Sequence, residues 1–278
     1  MRIEDLDGPR IKPGAARDAL ETLSWIGLDW DGEPITQSDD LTPYHQAMDR
    51  LSRAGLAYPC DLTRAQIDAA ASAPHDADPD SPRESRFPPE LRPVLTPRGF
   101  DQPDSSWRFV VNPSPATIEF SDEFAGPQRM SPFESVGDFV VWTKRAQPAY
   151  QLAVVVDDIR HGITNVIRGD DLLDSAARQI LLYHALGAER IPAWMHLPLV
   201  VGVDGRRLAK RHGDTRIAAY RDSGVRPERI IALMARWSGI NPAPDVMSAH
   251  EFVERFTPAT MPHERIVFTP EDHAWLSR

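Results

Sequence analysis

Two largely apolar runs, one on each side of a helical segment, constrain the fold of this chain more than any other feature. Leu152–Val156 and Leu197–Val203 have the composition of strands that are covered on both faces. Between them, the residue pattern predicts a helix over 171–186 that Gly187 ends, with inward positions at Leu172, Ile180, Leu181 and Leu182. A strand, a helix and a second buried strand in this order predict a parallel α/β sheet.

A smaller module interrupts this pattern. Eight prolines lie between Pro74 and Pro103. Because proline lacks a backbone N–H and disfavours helix for its predecessor, we expect an irregular insertion that is partly mobile around Ala73–Arg83. Short β-rich runs then predict one small sheet: Trp107–Val111, Thr117–Phe120 and Phe139–Trp142. Helices are predicted on either side of the module, at 14–27, 43–55, 217–223 and 227–237.

The composition excludes several classes of protein. No apolar run approaches the ~20 residues needed to cross a bilayer, and the charged segment Met1–Asp5 lacks the apolar stretch of a secretory signal. Cys60 is the single cysteine of the 278 residues, which excludes a disulfide within the chain and an all-cysteine metal site. We therefore expect a cytoplasmic protein without a membrane partner. The net charge of −10 argues against diffuse affinity for nucleic acid but leaves a local basic patch open.

Three short segments carry residues suited to binding charged ligands. They are Arg2–Arg10, Tyr150–Gly169 and Gly205–Gly213. Taken singly, each has an ordinary structural explanation: a solvated chain end, an arginine that ends a helix or strand, and an exposed turn. Their order and spacing together favour a shared function.

In this order the segments resemble the catalytic domain of class I glutamyl-tRNA synthetases, and more closely their short relatives, the glutamyl-queuosine tRNA(Asp) synthetases. The matching motifs are Arg-Ile-Glu-Asp at 2–5, Tyr-Gln-Leu-Ala-Val-Val-Val-Asp-Asp at 150–158, Gly-Ile-Thr-Asn-Val-Ile-Arg-Gly at 162–169 and Arg-Leu-Ala-Lys-Arg at 207–211. The resemblance implies a class I Rossmann-like parallel sheet that lacks its first strand and helix, with an inserted α+β module and a helical C-terminal segment.

The same resemblance divides the chain into four parts. It implies a partial nucleotide-binding half at 1–57, the inserted module at 58–140, a second Rossmann-like half at 141–203, and the signature lysine loop with C-terminal helices at 204–278. No anticodon-binding domain is expected.

The resemblance also implies which residues hold the amino acid. Glu4 would face the α-ammonium group of L-glutamate, and Tyr150 and Arg168 would help bind the rest of it. An arginine suits a carboxylate because its planar fork can donate two parallel hydrogen bonds.

The lysine loop is the ATP-binding element that the resemblance implies, with Mg²⁺ accompanying ATP. Lys210 would stabilise charge that develops on the phosphates during in-line displacement. Leu208, Ala209 and Arg211 complete the loop. Ala209 replaces the usual serine, so one hydroxyl contact is lost.

One family motif is missing. The glycine-rich signature Pro-Ser-Pro-[Thr/Ser]-Gly-x-x-His-x-Gly, which packs against ATP, surrounds none of the nine histidines. In relatives it lies upstream of the position that Arg2 matches. We expect either a misplaced start within a longer gene or a truncated chain that cannot form adenylate. We favour the first, because Glu4, Tyr150, Arg168 and Lys210 are retained together.

The zinc site of the family is altered as well. Relatives often hold Zn²⁺ with Cys-x-Cys followed by Tyr-x-x-x-Cys, and the matching positions are Cys60, Leu62, Phe87 and Leu91. Tetrahedral zinc needs four N, S or O donors. We therefore predict no zinc, a small apolar cluster formed by the three apolar side chains, and a buried Cys60.

Three functions stay open. We favour ATP-dependent activation of L-glutamate and transfer to tRNA, to the queuosine of tRNA(Asp) rather than to tRNA(Glu), because too few residues follow Lys210 to form an anticodon-binding region. The alternatives are a catalytically impaired tRNA-binding protein and a truncated conventional glutamate–tRNA ligase. Basic residues at 206–216 and at Lys144–Arg145 are candidates for local RNA contact or for ordinary solvated surface. We expect a monomer.

Overall fold

The structure is a computed structural model that describes residues 1–6, 8, 11–71, 86–115, 117–208 and 216–278. The chain forms two units, each assembled from separated segments. Unit 1 contains Met1–Ile35, Arg168–Asp171 and His196–Arg278, and unit 2 contains Thr36–Ile167 and Leu172–Met195. The stretch Ala73–Arg83, which we expect to be partly mobile, lies outside the described residues.

Helices and strands are interspersed along the chain. The helices are α1 (Ala15–Trp25), α2 (Thr42–Arg53), α3 (Arg64–Ala70), α4 (Pro132–Ser135), α5 (Tyr150–His161), α6 (Leu173–Ala185), α7 (Ile217–Asp222), α8 (Pro227–Trp237), α9 (Ala249–Arg255) and α10 (Pro270–Leu276). The strands are β1 (Arg2–Ile3), β2 (Ile35–Thr36), β3 (Ala57–Pro59), β4 (Trp107–Phe109), β5 (Ile118–Asp122), β6 (Gly126–Met130), β7 (Phe139–Thr143), β8 (Gln147–Pro148), β9 (Asn165–Gly169), β10 (Ala193–Leu197), β11 (Val200–Val201) and β12 (Ile266–Val267). Of the helices in the described part of the chain, none has the length and apolar character of a membrane span.

The five helices predicted from apolar spacing are confirmed as α1, α2, α6, α7 and α8. In α2, Met48 and Leu51 lie three residues apart on the inward face and are completely buried. In α6 Ile180 and Leu182 are buried, whereas Leu181 is only half-buried. Helical periodicity therefore identified these elements, from the six residues of α7 to the thirteen of α6.

The predicted strand at Leu152–Val156 is wrong, because these residues lie inside α5. All eight residues at 151–158 are buried, and α5 contacts α2, α6 and β7. A short apolar run that is buried on every side has the same composition in a helix as in a central strand, so periodicity cannot separate the two. Gly162 ends the helix in a left-handed conformation with φ of 62°.

Polar side chains of unit 2 donate hydrogen bonds to the two aspartates of α5. Asp157 Oδ2 accepts hydrogen bonds from Tyr44 Oη at 2.8 Å and from Gln37 Nε2 at 2.7 Å. Asp158 Oδ2 accepts one from Tyr183 Oη at 3.1 Å. These bonds offset the cost of burying two carboxylates next to the apolar run Leu152–Val156.

The second predicted strand, Leu197–Val203, is also wrong as a single buried element. Leu197 ends β10, and β11 is a separate short strand that pairs in parallel with β12. Pro198 stands at the break, where a residue without a backbone N–H cannot continue a ladder. Val203 is 68% exposed, so the run does not stay buried.

The β-rich runs belong to two sheets, so the prediction of one small sheet is wrong. The runs beginning at Trp107 and Phe139 form β4 and β7 in an antiparallel sheet of order β3-β4-β7-β8. The run at 117–120 forms β5 in a second sheet of order β6-β5-β10-β9, where β5 pairs with β10 in parallel. Alternating burial indicates a strand, but the partner of a strand depends on residues far away in sequence.

An apolar cluster in unit 2 fills the positions that match the zinc ligands of the family. We call it the Cys60 cluster; its buried members are Tyr58, Cys60, Ile67, Phe87 and Val110, with Leu62, Leu91 and Leu95 packed against them. Cys60 is 8% exposed and Phe87 only 1%. The predicted apolar packing of Leu62, Phe87 and Leu91 and the burial of Cys60 are confirmed.

A buried carboxylate lies beside this cluster. Asp138, which is 1% exposed, accepts hydrogen bonds from Arg92 Nε at 2.7 Å, from Arg92 Nη2 at 2.6 Å and from Tyr58 Oη at 2.7 Å. The Val111 backbone N–H donates to it at 2.8 Å. Hydrogen bonding to Asp138 raises the pKa of Arg92, so the guanidinium stays protonated.

Candidate active site

Glu4 lies at the beginning of unit 1, directly after β1. Arg2 Nε and Nη2 donate to its Oε1 at 3.1 and 2.9 Å, and the Glu4 side chain is 41% exposed. Its second carboxylate oxygen receives neither of these bonds. Glu4 therefore combines a fixed orientation with an accessible negative charge, which suits an ammonium group.

Arg168 lies near the end of β9 in the same unit as Glu4. Its Nε–H donates to His196 Nε2 at 2.9 Å, and His196 is a residue of β10 with 1% exposure. Strands β9 and β10 are neighbours in one sheet. The guanidinium is therefore attached to a buried group on the adjacent strand, which limits the positions that it can adopt.

Two carboxylates follow Arg168 and connect β9 to more distant arginines of unit 1. Asp171 Oδ2 lies 3.3 Å from Arg207 Nη1, and Asp170 Oδ2 lies 3.6 Å from Arg265 Nε. Arg207 is the first residue of the family's lysine loop. The start of that loop is thus paired with the segment that carries Arg168.

The lysine loop is described only at its beginning. Gly202 and Arg206 enclose a turn in which the Gly202 N–H donates to the Arg206 carbonyl at 2.8 Å. Leu208 is half-buried and packs against an apolar cluster of unit 1 that includes Tyr220 and Phe268. The other predicted ATP-binding residues lie outside the described residues: Ala209, Lys210 and Arg211.

Tyr150 is the first residue of α5 and belongs to unit 2. It is 45% exposed, in contrast to the eight buried residues that follow it. The strand predicted at Leu152–Val156 would place Tyr150 just before a strand. In the structure Tyr150 lies at the N-terminus of a helix instead. Of the four predicted catalytic and amino-acid-binding residues, only Glu4 and Arg168 are described within the same unit.

His196, Asp170 and Asp171 are polar residues of unit 1 that the sequence analysis did not single out. In the structure residues 193–197 alternate between half-buried and buried, and the histidine occupies a buried position, but the sequence Ala-Trp-Met-His-Leu shows no matching alternation of polar and apolar residues. A polar residue at such a position needs a partner. Its partner, Arg168, is 28 residues away in sequence, so the pair itself could not be recognised from the chain.

The described residues do not form a zinc site at the family's position. Cys60, Leu62, Phe87 and Leu91 offer one sulfur and no other donor atom, which does not fit tetrahedral zinc. Within the described ranges no group of three or more histidine, cysteine, aspartate or glutamate side chains could hold a metal ion.

The structure describes Lys144–Arg145, the first of the two candidate RNA-contact segments, but only part of the second. Lys144 lies between β7 and β8, and its Nζ is 3.5 Å from Asp61 Oδ1. Most of 206–216 lies outside the described residues. The role of both segments in RNA contact stays a prediction.

Curated proteins of two kinds are similar to this chain. The Glutamyl-Q tRNA(Asp) synthetase of Rhodopirellula baltica is 44% identical over 265 residues, which cover 88% of this chain and 76% of that protein. The Glutamyl-Q tRNA(Asp) synthetase of Symbiobacterium thermophilum is 42% identical over 289 residues, covering 100% of this chain and 87% of that protein. The Glutamate–tRNA ligase of Syntrophobacter fumaroxidans is 35% identical, and the chain covers 57% of its length.

A solved structure shares the fold. The crystal structure of a glutamate tRNA ligase from Elizabethkingia meningosepticum in complex with its amino acid matches with a TM-score of 0.76 and 25% identity. The match covers 99% of this chain and 61% of that one, so the chain spans about three fifths of the solved structure. The predicted α/β fold of a class I catalytic domain is confirmed.

The sequence model described as tRNA synthetases class I (E and Q), catalytic domain, matches residues 1–273. The residues that match include the segments of Glu4, Tyr150 and Arg168 and the whole lysine loop. The chain therefore belongs to the family of class I tRNA synthetase catalytic domains for E and Q, glutamate and glutamine.

Proposed function

We propose that this protein activates L-glutamate with ATP and transfers the glutamyl group to tRNA, with the queuosine of tRNA(Asp) as the acceptor. The observation that carries the proposal is the similarity to two proteins named Glutamyl-Q tRNA(Asp) synthetase, at 44% and 42% identity over 76% and 87% of their lengths. The proteins named Glutamate–tRNA ligase are less similar and considerably longer than the region matched.

In the activation step, a carboxylate oxygen of glutamate attacks the α-phosphorus of ATP. A phosphorus–oxygen bond to glutamate forms, and the bond to the pyrophosphate oxygen breaks, so pyrophosphate leaves with the electron pair. This reaction depends on holding both charged ends of the amino acid while negative charge develops on the phosphates. Mg²⁺ neutralises part of that charge when it accompanies ATP.

The residues of this chain supply the positioning. We assign Glu4 to the α-ammonium group, because its carboxylate is accessible and oriented by Arg2. We assign Arg168 to a carboxylate of the substrate, because its guanidinium is held by His196 at 2.9 Å. Tyr150, which belongs to unit 2, is assigned to the amino acid on the family pattern alone.

The lysine loop is assigned to ATP. Lys210 would stabilise the charge of the phosphates, and Leu208, Ala209 and Arg211 would line the nucleotide. The pairing of Arg207 with Asp171 at 3.3 Å supports this assignment, since it connects the beginning of the loop to the segment of Arg168.

In the transfer step, a hydroxyl oxygen of the tRNA attacks the carbonyl carbon of the glutamyl adenylate. An ester bond forms, the bond from the carbonyl carbon to the phosphate oxygen breaks, and AMP leaves while the hydroxyl loses its proton. We expect the protein to act as a cytoplasmic monomer.

Glutamate-dependent exchange between ATP and pyrophosphate, measured on the full-length protein without tRNA, tests the activation step. We expect exchange with L-glutamate, and a decrease of about 100-fold or more in Lys210→Ala. Lys144→Ala is the matched control, because Lys144 is an exposed lysine paired with Asp61, and it should keep the exchange rate. Absence of exchange in the wild type would reject the proposed activity, and unchanged exchange in Lys210→Ala would reject the role of that lysine.

The acceptor is tested with three tRNAs. We expect glutamyl transfer to tRNA(Asp) that contains queuosine, and none to tRNA(Asp) without queuosine or to tRNA(Glu). Transfer to tRNA(Glu) alone would instead identify a conventional glutamate–tRNA ligase. Binding of tRNA without exchange or transfer would identify a tRNA-binding protein.

A further inference from the structure

We propose that His196 is a positioning residue for Arg168 and that it fixes which edge of the guanidinium meets the amino-acid carboxylate. The inference rests on the proposed function, because it assigns Arg168 to glutamate. It deepens that function by adding a residue that acts through another and touches no substrate itself.

The placement of His196 is the first argument. It lies on β10 at a position that alternation makes buried, and it is 1% exposed. An apolar side chain would fill such a position without a desolvation cost, whereas an imidazole must be hydrogen-bonded to be tolerated. The hydrogen bond from Arg168 supplies that compensation at 2.9 Å between Nε and Nε2.

The direction of the hydrogen bond is the second argument. Arginine has only donors, so Arg168 Nε–H must donate and His196 Nε2 must accept. An imidazole that accepts on Nε2 carries its proton on Nδ1 and is neutral. The contact with Arg168 therefore requires one of the two neutral tautomers of His196 and excludes the other.

The geometry of the guanidinium is the third argument. A carboxylate can form a bidentate contact either with the edge that contains Nε or with the edge formed by the two terminal nitrogens. Because His196 engages the Nε–H of Arg168, the edge with Nε is taken. A bidentate contact with glutamate is thus confined to the terminal edge.

The consequence for binding concerns glutamate rather than ATP. Without the acceptor on β10, Arg168 loses the hydrogen bond that holds its Nε edge, so the guanidinium is less well oriented and the amino acid is bound less tightly before the reaction begins. The loss of one hydrogen bond to a charged group corresponds to about a tenfold change in affinity. We expect this change in the KM for glutamate, with kcat and the KM for ATP within about twofold of the wild type.

Two variants of His196 separate positioning from packing. His196→Phe keeps a planar ring but has no acceptor, and we expect the KM for glutamate in the exchange reaction to rise about tenfold. His196→Gln retains an oxygen near the position of Nε2, and we expect it to restore the KM to within about threefold of the wild type. If Phe leaves the KM unchanged, or if Gln and Phe raise it equally, the proposal is overturned.

The tautomer of His196 in the wild-type protein gives a second test, which needs no measurement of activity. Side-chain ¹⁵N NMR at neutral pH distinguishes the two neutral tautomers of histidine, and the His196 signals are assigned by their absence from the spectrum of His196→Gln. We expect the tautomer with the proton on Nδ1. A proton on Nε2 would overturn the proposal whatever the activity.

The two proposals fail in different ways. If the wild type shows no glutamate-dependent exchange, the proposed function is rejected together with the glutamate part of this inference. If the wild type exchanges but His196→Phe keeps the wild-type KM, only the positioning role is rejected.

Discussion

A single carboxylate, Asp138, joins three parts of unit 2. It accepts bonds from Arg92, from Tyr58 in β3 and from the backbone of Val111. Arg92 Nη2 also donates to the Val111 carbonyl at 2.8 Å. The ion pair and its hydrogen bonds are nearly removed from water, because the side chains of Arg92 and Asp138 are 17% and 1% exposed.

We expect Asp138→Asn to destabilise the protein by about 3 kcal/mol, because the guanidinium of Arg92 loses its counter-charge in a buried place. An asparagine also places a donor against the donors of the arginine. The measurement is the urea midpoint. Asp101→Asn is the matched control, since Asp101 pairs with Arg98 at the surface with 56% exposure of its side chain, and it should leave the midpoint unchanged.

The pH dependence of stability tests Tyr58. Burial, and next the charge of Asp138, raise the pKa of Tyr58 above its ordinary value of 10.0. Its contribution to stability is therefore complete below pH 10.0 and is lost as the pH rises further, since the unfolded chain releases a proton that the folded chain keeps. We expect Tyr58 to lower the free energy of unfolding by about 1.4 kcal/mol for each pH unit above 10.0.

Urea unfolding of the wild type and of Tyr58→Phe between about pH 8 and 11 measures this contribution. The variant should be less stable at neutral pH, because it lacks the bond to Asp138, yet it should lose less stability on the alkaline side. Parallel curves for the two proteins would contradict the assignment.

Some features of individual residues could be predicted from the sequence, and others could not. The apolar character of Leu62, Phe87 and Leu91 was sufficient to expect a cluster, because burial of an apolar side chain is a property of the residue itself. The bond between Arg92 and Asp138 joins positions 46 residues apart. Pairing at that distance depends on the fold, so the charge of either residue could not reveal it.

At the scale of elements, Gly137 makes the turn before β7 possible. Its φ is 65°, and a Cβ built on it would lie about 2.3 Å from the backbone oxygen of Phe87. The backbone of Phe87 is held close to Gly137 by a hydrogen bond, because its N–H donates to the Val136 carbonyl at 2.7 Å. Two constraints thus require glycine here: a left-handed backbone and a close approach.

We expect Gly137→Ala to cost more stability than Gly126→Ala. Gly126 has a φ of 78° and nothing within 4 Å of its would-be Cβ, so only the backbone strain applies, about 1 kcal/mol. The clash with Phe87 adds about 1–3 kcal/mol to the cost at Gly137. Thermal or urea unfolding of both variants gives the difference, and equal costs would show that the backbone of Phe87 can move away freely.

Prediction of elements from the sequence worked for the amphipathic helices and failed for α5. In α2 the polar positions reveal the period, because one face is exposed. In α5 the eight residues at 151–158 are all buried, so no exposed face marks the period. The surroundings of α5 that decide between helix and strand are supplied by α2, α6 and β7, which are distant in sequence.

For the molecule as a whole, the Cys60 cluster implies stability without zinc. We expect chelator treatment to leave the thermal midpoint unchanged and purified protein to contain no stoichiometric zinc, because three of the four family positions are carbon side chains. Cys60→Ala should cost about 1 kcal/mol, the loss of a small packed group. Stoichiometric zinc, or a midpoint that falls equally with chelator and with Cys60→Ala, would contradict this expectation.

The motifs predict which residues belong to the candidate site, but not the contacts that these residues make. The segments that resemble the family predict Glu4, Arg168 and the lysine loop, because their order in the chain matches the family motifs. The sequence did not predict the attachment of Arg168 to His196 or the pairing of Asp171 with Arg207, because both join separated segments of unit 1. The division of the chain into four sequential parts stays a prediction.

The chain passes four times between the two units, after residues 35, 167, 171 and 195. As the ribosome synthesises the protein from its N-terminus, every residue of unit 2 has been made when residue 195 is added. Unit 1 at that point holds only its first 35 residues and the four at 168–171. Arg168 therefore emerges from the ribosome before His196, so the hydrogen bond between them forms only when the last segment of the nascent polypeptide is available.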